Sequence, residues 1–296
     1  MTHLASWDGE LVAESEIRIS PFSATATYGI NVFEGLRAYW RGKEKGHSVL
    51  FCEAHIRRLL ESASILGIDH RFTQGDLLEA LEALIRTAPE ADVAVRMTLM
   101  IVGDPGESWG SEAPANLAIR YFPAISSLDS VKTARAMTSS WRRPGIGSMP
   151  MSVKSGANYL NSRYGLLQSR ACGVDLPLFL DERGYVVEGG GANLICRKSE
   201  EVLFCSLEQP VLRGITQEYI KSRLADCSNY RVVARPITLP ELYVCDEVLL
   251  VGTTTEVISI EEVDGRTVIQ ARGGELCQFV CECLKSAVAE ADVIIR

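Results

Sequence analysis

The sequence contains no apolar run that approaches the roughly 20 consecutive residues needed to cross a bilayer. This excludes an ordinary transmembrane helix. Residues 1–9 (MTHLASWDG) also lack the basic start and following apolar stretch that are typical of a secretory signal. We therefore expect a cytoplasmic protein without a membrane partner.

An excess of positive charge is absent as well. The chain has 30 lysines and arginines against 38 aspartates and glutamates, which gives a formal net charge of −8. Arg57–Arg58 and Arg142–Arg143 are pairs rather than runs. Because nucleic-acid-binding surfaces are basic, this distribution argues against a nucleic acid partner.

The nine cysteines show no spacing typical of a disulfide framework or a zinc site. Cys277, Cys281 and Cys283 cluster near one end, but all four histidines lie within the first 70 residues. A zinc site commonly combines closely spaced cysteines with histidines. We interpret the cysteines as reduced and mostly buried thiols, and we predict no metal site.

The distribution of strands and helices predicts two domains. Residues 1–122 mix strands with two helices, predicted over 55–66 and 76–85, which is typical of a small α+β or α/β domain. Residues 123–130 are small and polar and are interpreted as a linker. Residues 131–296 contain frequent short strands and fewer helices, and they predict a larger, β-rich domain.

The most informative stretch is Lys154–Ser162 (KSGANYLNS), where a lysine is followed five residues later by Tyr159. Small and polar neighbours leave room for a cofactor beside the lysine amine. Our hypothesis is that Lys154 forms the Schiff base of pyridoxal phosphate, which also needs a carboxylate for its pyridinium nitrogen and a phosphate site. The alternatives are a solvated surface lysine and, for Tyr159, a core aromatic residue.

A carboxylate at the end of an apolar strand is a candidate for the pyridinium nitrogen. Glu188 follows the apolar residues 185–187 and precedes three glycines. An unpaired buried carboxylate is costly, and a pyridinium N–H would be a suitable partner. A dinucleotide-binding turn is the alternative for the glycines, but it needs a following helix, whereas residues 194–196 read as a strand.

Two further segments offer donors for an anion. Gly214, Ile215 and Thr216 open a helix that is predicted to continue to Ala225, so backbone N–H groups of its first turn could bind a phosphate. Residues 252–256 (GTTTE) follow an apolar strand and add hydroxyl and N–H groups. Taken alone, either feature is common in proteins.

Together and in this order, these motifs resemble the class IV (fold type IV) pyridoxal-phosphate-dependent aminotransferases. Within them, the chain is most similar to the branched-chain amino acid aminotransferase family. The resemblance runs from Tyr28 to Glu256. The segments that carry it are residues 28–29, 32–39, 55–59, 96, 154–162, 188–194, 212–216 and 252–256.

The resemblance implies an architecture and an oligomeric state. A small N-terminal α+β domain and a larger β-rich C-terminal domain would hold pyridoxal phosphate between them. The protein would be a homodimer with its site at the subunit interface. The neighbouring subunit would contribute its loop at residues 103–110 to the site.

The resemblance also implies roles for individual residues. Lys154 would form the internal aldimine and move the proton at the substrate Cα. Further cofactor contacts would come from Glu188 at the pyridinium nitrogen, Tyr159 at the phenolate oxygen, Leu212 against the ring, Arg58, Ile215, Thr216 and Thr253 at the phosphate, and the adjacent Asn193, Gly214 and Gly252. Substrate contacts would come from Tyr28 of the partner subunit, Phe33, Arg37, Arg96, Tyr159, Thr253 and Thr254.

Several positions depart from the family pattern. Ala94 and Ala192 stand where the family has tyrosine and glutamate, and residues 122–125 lack a second typical tyrosine. These changes concern substrate contacts and leave the cofactor residues intact. We therefore predict transfer of an amino group between an apolar, branched-chain-like L-amino acid and a 2-oxo acid such as 2-oxoglutarate, with altered or specialised specificity.

Two other functions are compatible with such a chain. A protein of the same fold could be an aminodeoxychorismate lyase or a D-amino acid or amine transaminase, although Arg37 favours the branched-chain subgroup. A non-catalytic binding protein that retains the fold is the alternative from a different class. The presence of Lys154, Tyr159 and Glu188 argues against it.

Overall fold

The computed structural model describes residues 3–103, 109–110, 112–227, 229–270 and 274–296, and these form two compact units. The first comprises Met1–Ile125, Val153–Ala157 and Ala287–Arg296. The second comprises Ser126–Ser152 and Asn158–Ser286. The division expected from the sequence placed residues 153–157 and 287–296 in the second domain, whereas their contacts group them with the first unit.

The strands, in chain order, are β1 (Leu4–Trp7), β2 (Glu10–Ala13), β3 (Asn31–Trp40), β4 (His47–Val49), β5 (Val93–Met100), β6 (Asn116–Pro123), β7 (Lys132–Thr138), β8 (Leu176–Leu180), β9 (Tyr185–Gly189), β10 (Asn193–Lys198), β11 (Glu201–Phe204), β12 (Arg231–Ala234), β13 (Ile237–Thr238), β14 (Glu247–Gly252), β15 (Glu256–Val263), β16 (Arg266–Thr267) and β17 (Val293–Ile295). The α-helices are α1 (Ala24–Tyr28), α2 (Cys52–Ile65), α3 (Gln74–Ile85), α4 (Asn158–Ala171), α5 (Ile215–Ala225), α6 (Leu239–Leu242) and α7 (Glu275–Ala289). A short 3-10 helix covers Glu14–Glu16.

The first unit is built on a seven-stranded sheet in the order β17-β4-β3-β5-β6-β1-β2. Every pairing in it is antiparallel, so the unit is α+β rather than α/β. The pairing of β17 with β4 explains why the C-terminal residues belong to this unit. The lysine segment joins it through a bridge between Val32 and Ser155 and a 2.9 Å hydrogen bond from Phe33 N to Lys154 O.

The two helices predicted in the first part of the sequence are confirmed as α2 and α3. Their apolar sides share one core with the sheet, in which Leu36, Leu59 and Leu81 are fully buried. Helix α3 begins two residues before the predicted start because Thr73 forms a capping box with Asp76. The Thr73 hydroxyl accepts from Asp76 N, and the Asp76 carboxylate accepts from Thr73 N.

The second unit contains a ten-stranded mixed sheet whose main path is β12-β11-β10-β14-β15-β7-β8-β9-β13. An additional pairing of β9 with β10 closes six of these strands into a ring. That closing contact joins Glu188 to Asn193. The first of the three glycines ends β9, and the other two lead with Ala192 into the antiparallel strand β10, which rules out a dinucleotide-binding strand-to-helix turn.

Helix α4 lies against this ring through a glycine. A Cβ at Gly165 would lie 2.3 Å from Cζ of Phe179, a side chain on β8 that is fully buried. The phenyl ring is surrounded by packed core, so it has little freedom to move away. Only a residue without a side chain allows the helix to approach the strand this closely.

We expect Gly165→Ala to destabilise the protein by about 1–3 kcal/mol through overpacking against Phe179. Gly75→Ala is the matched helical control, because its new Cβ would meet Thr73 Oγ1 at an ordinary 3.6 Å. Alanine's better helix propensity should leave the control neutral or stabilised by up to about 1 kcal/mol. Urea unfolding measures both, and equal stability of the two variants would contradict this packing.

Candidate active site

Three residues implied by the family resemblance meet on the first unit. The Phe33 ring has the Lys154 Nζ atom 5.2 Å from its centroid and the Arg96 guanidinium carbon 4.1 Å from it. Both distances are within the range of cation–π attraction. The contact combines a half-buried lysine amine, an apolar ring and an exposed arginine.

Arg37 lies on the same strand as Phe33, an even number of residues further along, so both side chains are on one face of the sheet. It is buried, and its guanidinium carbon is 5.4 Å from the Tyr39 ring centroid. Its cross-strand partner is Ala94, one of the departures from the family pattern. The departure therefore places a methyl group directly opposite Arg37.

Tyr28 ends helix α1 and is 44% exposed. Its ring makes an edge-to-face contact with Trp109, with centroids 6.1 Å apart, and Trp109 is 75% exposed. The loop that the resemblance assigns to the neighbouring subunit's site spans residues 103–110. Residues 104–108 of that loop lie outside the described residues.

Arg58 is held by a carboxylate that the sequence analysis did not single out. Glu34 is fully buried and accepts two hydrogen bonds from Arg58, from Nε at 2.6 Å and from Nη2 at 2.8 Å. It also lies 2.7 Å from Nδ1 of the buried His55. The signal was present as a single acid within the apolar β3 and a histidine three residues before Arg58 on α2.

The protonation states of this cluster follow from burial and charge. Burial raises the pKa of Glu34, but Arg58 and His55 outweigh it and lower the pKa to about 2. Burial lowers the pKa of His55, and the attraction of Glu34 opposes this only in part. At neutral pH, a neutral His55 therefore donates from Nδ1 to an ionised Glu34.

The second unit holds the other predicted carboxylate, Glu188, at the point where the strand ring closes. Its Oε1 atom is 2.9 Å from Nε of Arg143, and both side chains are buried. Its Oε2 atom accepts from the backbone N–H of Leu212 at 3.3 Å and from Nδ2 of Asn193 at 3.5 Å. Arg143 is a further residue that the sequence analysis did not assign to the site.

Neighbouring residues of the second unit are tied to this carboxylate. Asn193 Nδ2 also donates to Leu212 O at 2.9 Å. A Cβ at Gly214 would lie 1.8 Å from Asn193 Oδ1, so only glycine fits there. Tyr159, in the first turn of α4, has its ring beside Gly191, where a Cβ would be 3.9 Å from Cε1.

The start of helix α5 has the chemistry of an anion site. Its N-cap is Gly214, which supplies no side-chain acceptor to the N–H groups of the first turn. The Oγ1 atoms of Thr216 and Thr253 are 3.0 Å apart, which adds two hydroxyl groups. Gly252 pairs with Glu256 where β14 turns into β15, and this turn carries Thr253 and Thr254.

The family model of class IV amino-transferases matches residues 31–263. The chain belongs to the class IV aminotransferase family. The match covers the Lys154 segment, the buried carboxylates Glu34 and Glu188 and the start of α5. The predicted family membership and fold type IV are confirmed.

Relatives of this class IV aminotransferase match it over nearly their full length. The branched-chain-amino-acid aminotransferase of Escherichia coli (strain K12) is 31% identical over 281 residues, which is 93% of this chain and 89% of that protein. The structure of the branched-chain aminotransferase from Thermoproteus uzoniensis with norvaline has a TM-score of 0.91 at 32% identity, covering 99% of this chain and 97% of that one. The T.th. branched-chain amino acid aminotransferase complexed with N-(5'-phosphopyridoxyl)-L-glutamate has a TM-score of 0.87 at 28% identity, covering 98% and 96%.

The cysteines are the remaining candidate groups that the sequence analysis considered. All nine cysteines are free thiols, and seven of them are buried, as predicted. Burial, for example, raises the pKa of Cys52 to about 12. Within the described ranges, no three or more His, Cys, Asp and Glu side chains come together as a metal site, and no described helix is long and apolar enough to span a membrane.

We expect Glu34→Gln to lower the free energy of unfolding at neutral pH by about 3–5 kcal/mol, because it leaves the Arg58 charge uncompensated. The pKa of Glu34 falls from 4.5 to about 2 on folding, so the wild-type advantage should be complete above about pH 4.5 and vanish as the pH falls through about 2.

Urea unfolding of both proteins across this pH range measures the difference. Glu82→Gln is the matched control, since it removes only a partly exposed ion pair with Arg86 at 3.3 Å. That control should cost about 0.5 kcal/mol or less. A Glu34→Gln difference that stays constant down to about pH 2 would contradict the role of its charge.

Proposed function

We propose that the protein transfers an amino group between an apolar, branched-chain-like L-amino acid and a 2-oxo acid such as 2-oxoglutarate, with pyridoxal phosphate as cofactor. The observation that carries the proposal is the nearly full-length likeness to the enzyme solved with norvaline, an apolar amino acid. The same comparison favours this activity over an aminodeoxychorismate lyase, a D-amino acid or amine transaminase, or a non-catalytic binding protein.

The donor groups of the chain fit pyridoxal phosphate. Glu188 is a buried carboxylate next to an arginine, which suits the N–H of a pyridinium ring. The hydroxyls of Thr216 and Thr253, with backbone N–H groups at Ile215 and Thr216, suit a phosphate. Arg58 would add a cationic phosphate contact, since Glu34 fixes its orientation.

When bound, pyridoxal phosphate supplies an electron sink that stabilises negative charge at the substrate Cα. Lys154 would attach the cofactor and then move the proton at Cα with its amine. Glu188 would accept a hydrogen bond from the ring N–H, and the Tyr159 hydroxyl would donate a hydrogen bond to the phenolate oxygen. Leu212 would pack against the ring, with Asn193, Gly214 and Gly252 shaping the surrounding backbone.

Candidate substrate contacts are proposed for residues on the first unit's sheet and, separately, for residues of the β14–β15 turn in the second unit. Phe33 provides an apolar surface, and the Arg96 guanidinium 4.1 Å from its centroid would bind a second carboxylate such as that of glutamate. Arg37 would complete the wall of the pocket. Backbone groups of Thr253 and Thr254 would bind the α-carboxylate.

We further propose that the enzyme is a cytoplasmic homodimer whose subunits complete each other's sites. The contact between Tyr28 and Trp109 supports this proposal, because both are large aromatic side chains with exposed surface. Exposed aromatic residues are enriched at protein interfaces. In a homodimer, Tyr28 of the partner subunit would contribute to the substrate pocket.

We expect Lys154→Ala to abolish formation of glutamate from L-leucine and 2-oxoglutarate in the presence of added pyridoxal phosphate. The variant lacks the amine that attaches the cofactor and moves the Cα proton. Lys43→Ala is the control, because Lys43 is 82% exposed and lies 3.7 Å from Glu90. Undiminished turnover by Lys154→Ala would contradict the assignment of this lysine.

Arg96→Gln should raise the KM for 2-oxoglutarate by about 10- to 100-fold, which corresponds to the loss of one charge-assisted hydrogen bond of about 1.5–3 kcal/mol. The KM for L-leucine should change little, because leucine has no second carboxylate. The exposed Arg86→Gln serves as the charge control. Equal increases of both KM values would show that Arg96 does not select the acidic substrate.

A further inference from the structure

Arg143 is fixed from several sides in the second unit. Its Nη1 atom donates to Asn161 Oδ1 and Ser162 Oγ, both at 2.9 Å, and its Nη2 atom donates to Gly189 O at 2.9 Å. The guanidinium carbon lies 4.1 Å from the Phe179 ring centroid. These contacts fix the position of the buried guanidinium group.

The third nitrogen of this group, Nε, lies at an ion-pair distance of 2.9 Å from Glu188 Oε1. Its backbone is anchored too, since Arg143 N donates to Leu180 O at 2.9 Å. The packing of Phe179 against Gly165 holds the aromatic surface on which the guanidinium group rests. Helix α4, strand β8 and the end of β9 therefore all position one nitrogen atom beside one carboxylate oxygen.

We infer that Arg143 is a positioning residue that keeps Glu188 ionised and oriented to accept the N–H of the cofactor ring. Leu212 N and Asn193 Nδ2 restrain the other carboxylate oxygen. A nearby positive charge favours an ionised carboxylate, and an ionised carboxylate can only accept hydrogen bonds. The inference rests on the proposed contact between Glu188 and the pyridinium nitrogen.

The test measures cofactor affinity in the full chain for the wild type, Arg143→Gln and Arg142→Gln. Arg142 is the matched control, because it is adjacent and exposed, and its Nη1 donates to Asp181 O rather than to Glu188. Each protein is titrated with pyridoxal phosphate and with 1-deazapyridoxal phosphate, in which CH replaces the ring nitrogen. Visible absorption and tryptophan fluorescence report the dissociation constants.

We expect Arg143→Gln to weaken binding of pyridoxal phosphate by about 10- to 100-fold, the usual effect of removing a residue that orients a ligand-binding group. Its affinity for the deaza analogue should not fall, because that ring offers no N–H to Glu188. Arg142→Gln should bind both compounds as the wild type does. Equal weakening for both compounds would show a merely structural role, and unchanged binding of both would also overturn the inference.

A double-mutant cycle with Glu188→Gln tests whether Arg143 acts through the carboxylate. If it does, adding Arg143→Gln to Glu188→Gln should change kcat little further, and the KM for the amino acid should stay near its wild-type value in both backgrounds. Additive losses in kcat would overturn the inference. Thermal unfolding identifies any variant that does not fold. If Arg143→Gln does not fold, Arg143→Lys replaces it, and we expect the same selective loss of affinity for pyridoxal phosphate.

The same titrations also test whether the protein binds pyridoxal phosphate at all. A wild-type protein that binds no pyridoxal phosphate would refute the proposed function and the inference together. The wild type could instead bind pyridoxal phosphate while Arg143→Gln weakens binding of both compounds equally or not at all. That result would refute only the role of Arg143.

Discussion

An ionised carboxylate can be buried in a protein only beside a compensating charge and hydrogen-bond donors, and each unit of this enzyme meets that requirement with an arginine. Glu34 is paired with Arg58 in the first unit, and Glu188 with Arg143 in the second. Such pairs add little to net stability, because the cost of desolvating the two charges offsets much of their attraction. Their main effect is to hold charged groups in one orientation.

The backbone positions the residues of both ion pairs. Glu188 lies where β9 meets β10, so the closure of the strand ring fixes its position. Glu34 lies on the helix-facing side of β3, within reach of α2. Glycines at 165 and 214 allow close approaches that a side chain would block. The geometry of both ion pairs thus depends on packing between elements that are distant in sequence.

Much of this organisation could be predicted from the sequence because it is local. The periodicity of α2 and α3 and the strand after the three glycines follow from neighbouring residues. The grouping of residues 153–157 and 287–296 with the first unit could not be predicted, since it depends on long-range strand pairing. Glu34 and Arg143 were missed for the same reason: their significance lies in partners brought close only by the fold.

The proposed function requires that Lys154 carries the cofactor. Its most direct test is to treat the purified enzyme and pyridoxal phosphate with borohydride, which makes a lysine–cofactor bond permanent, and to locate the label by peptide mass spectrometry. We predict one phosphopyridoxyl group per chain, on Lys154, with none on the exposed Lys43. A label on another lysine, or no specific label, would contradict it.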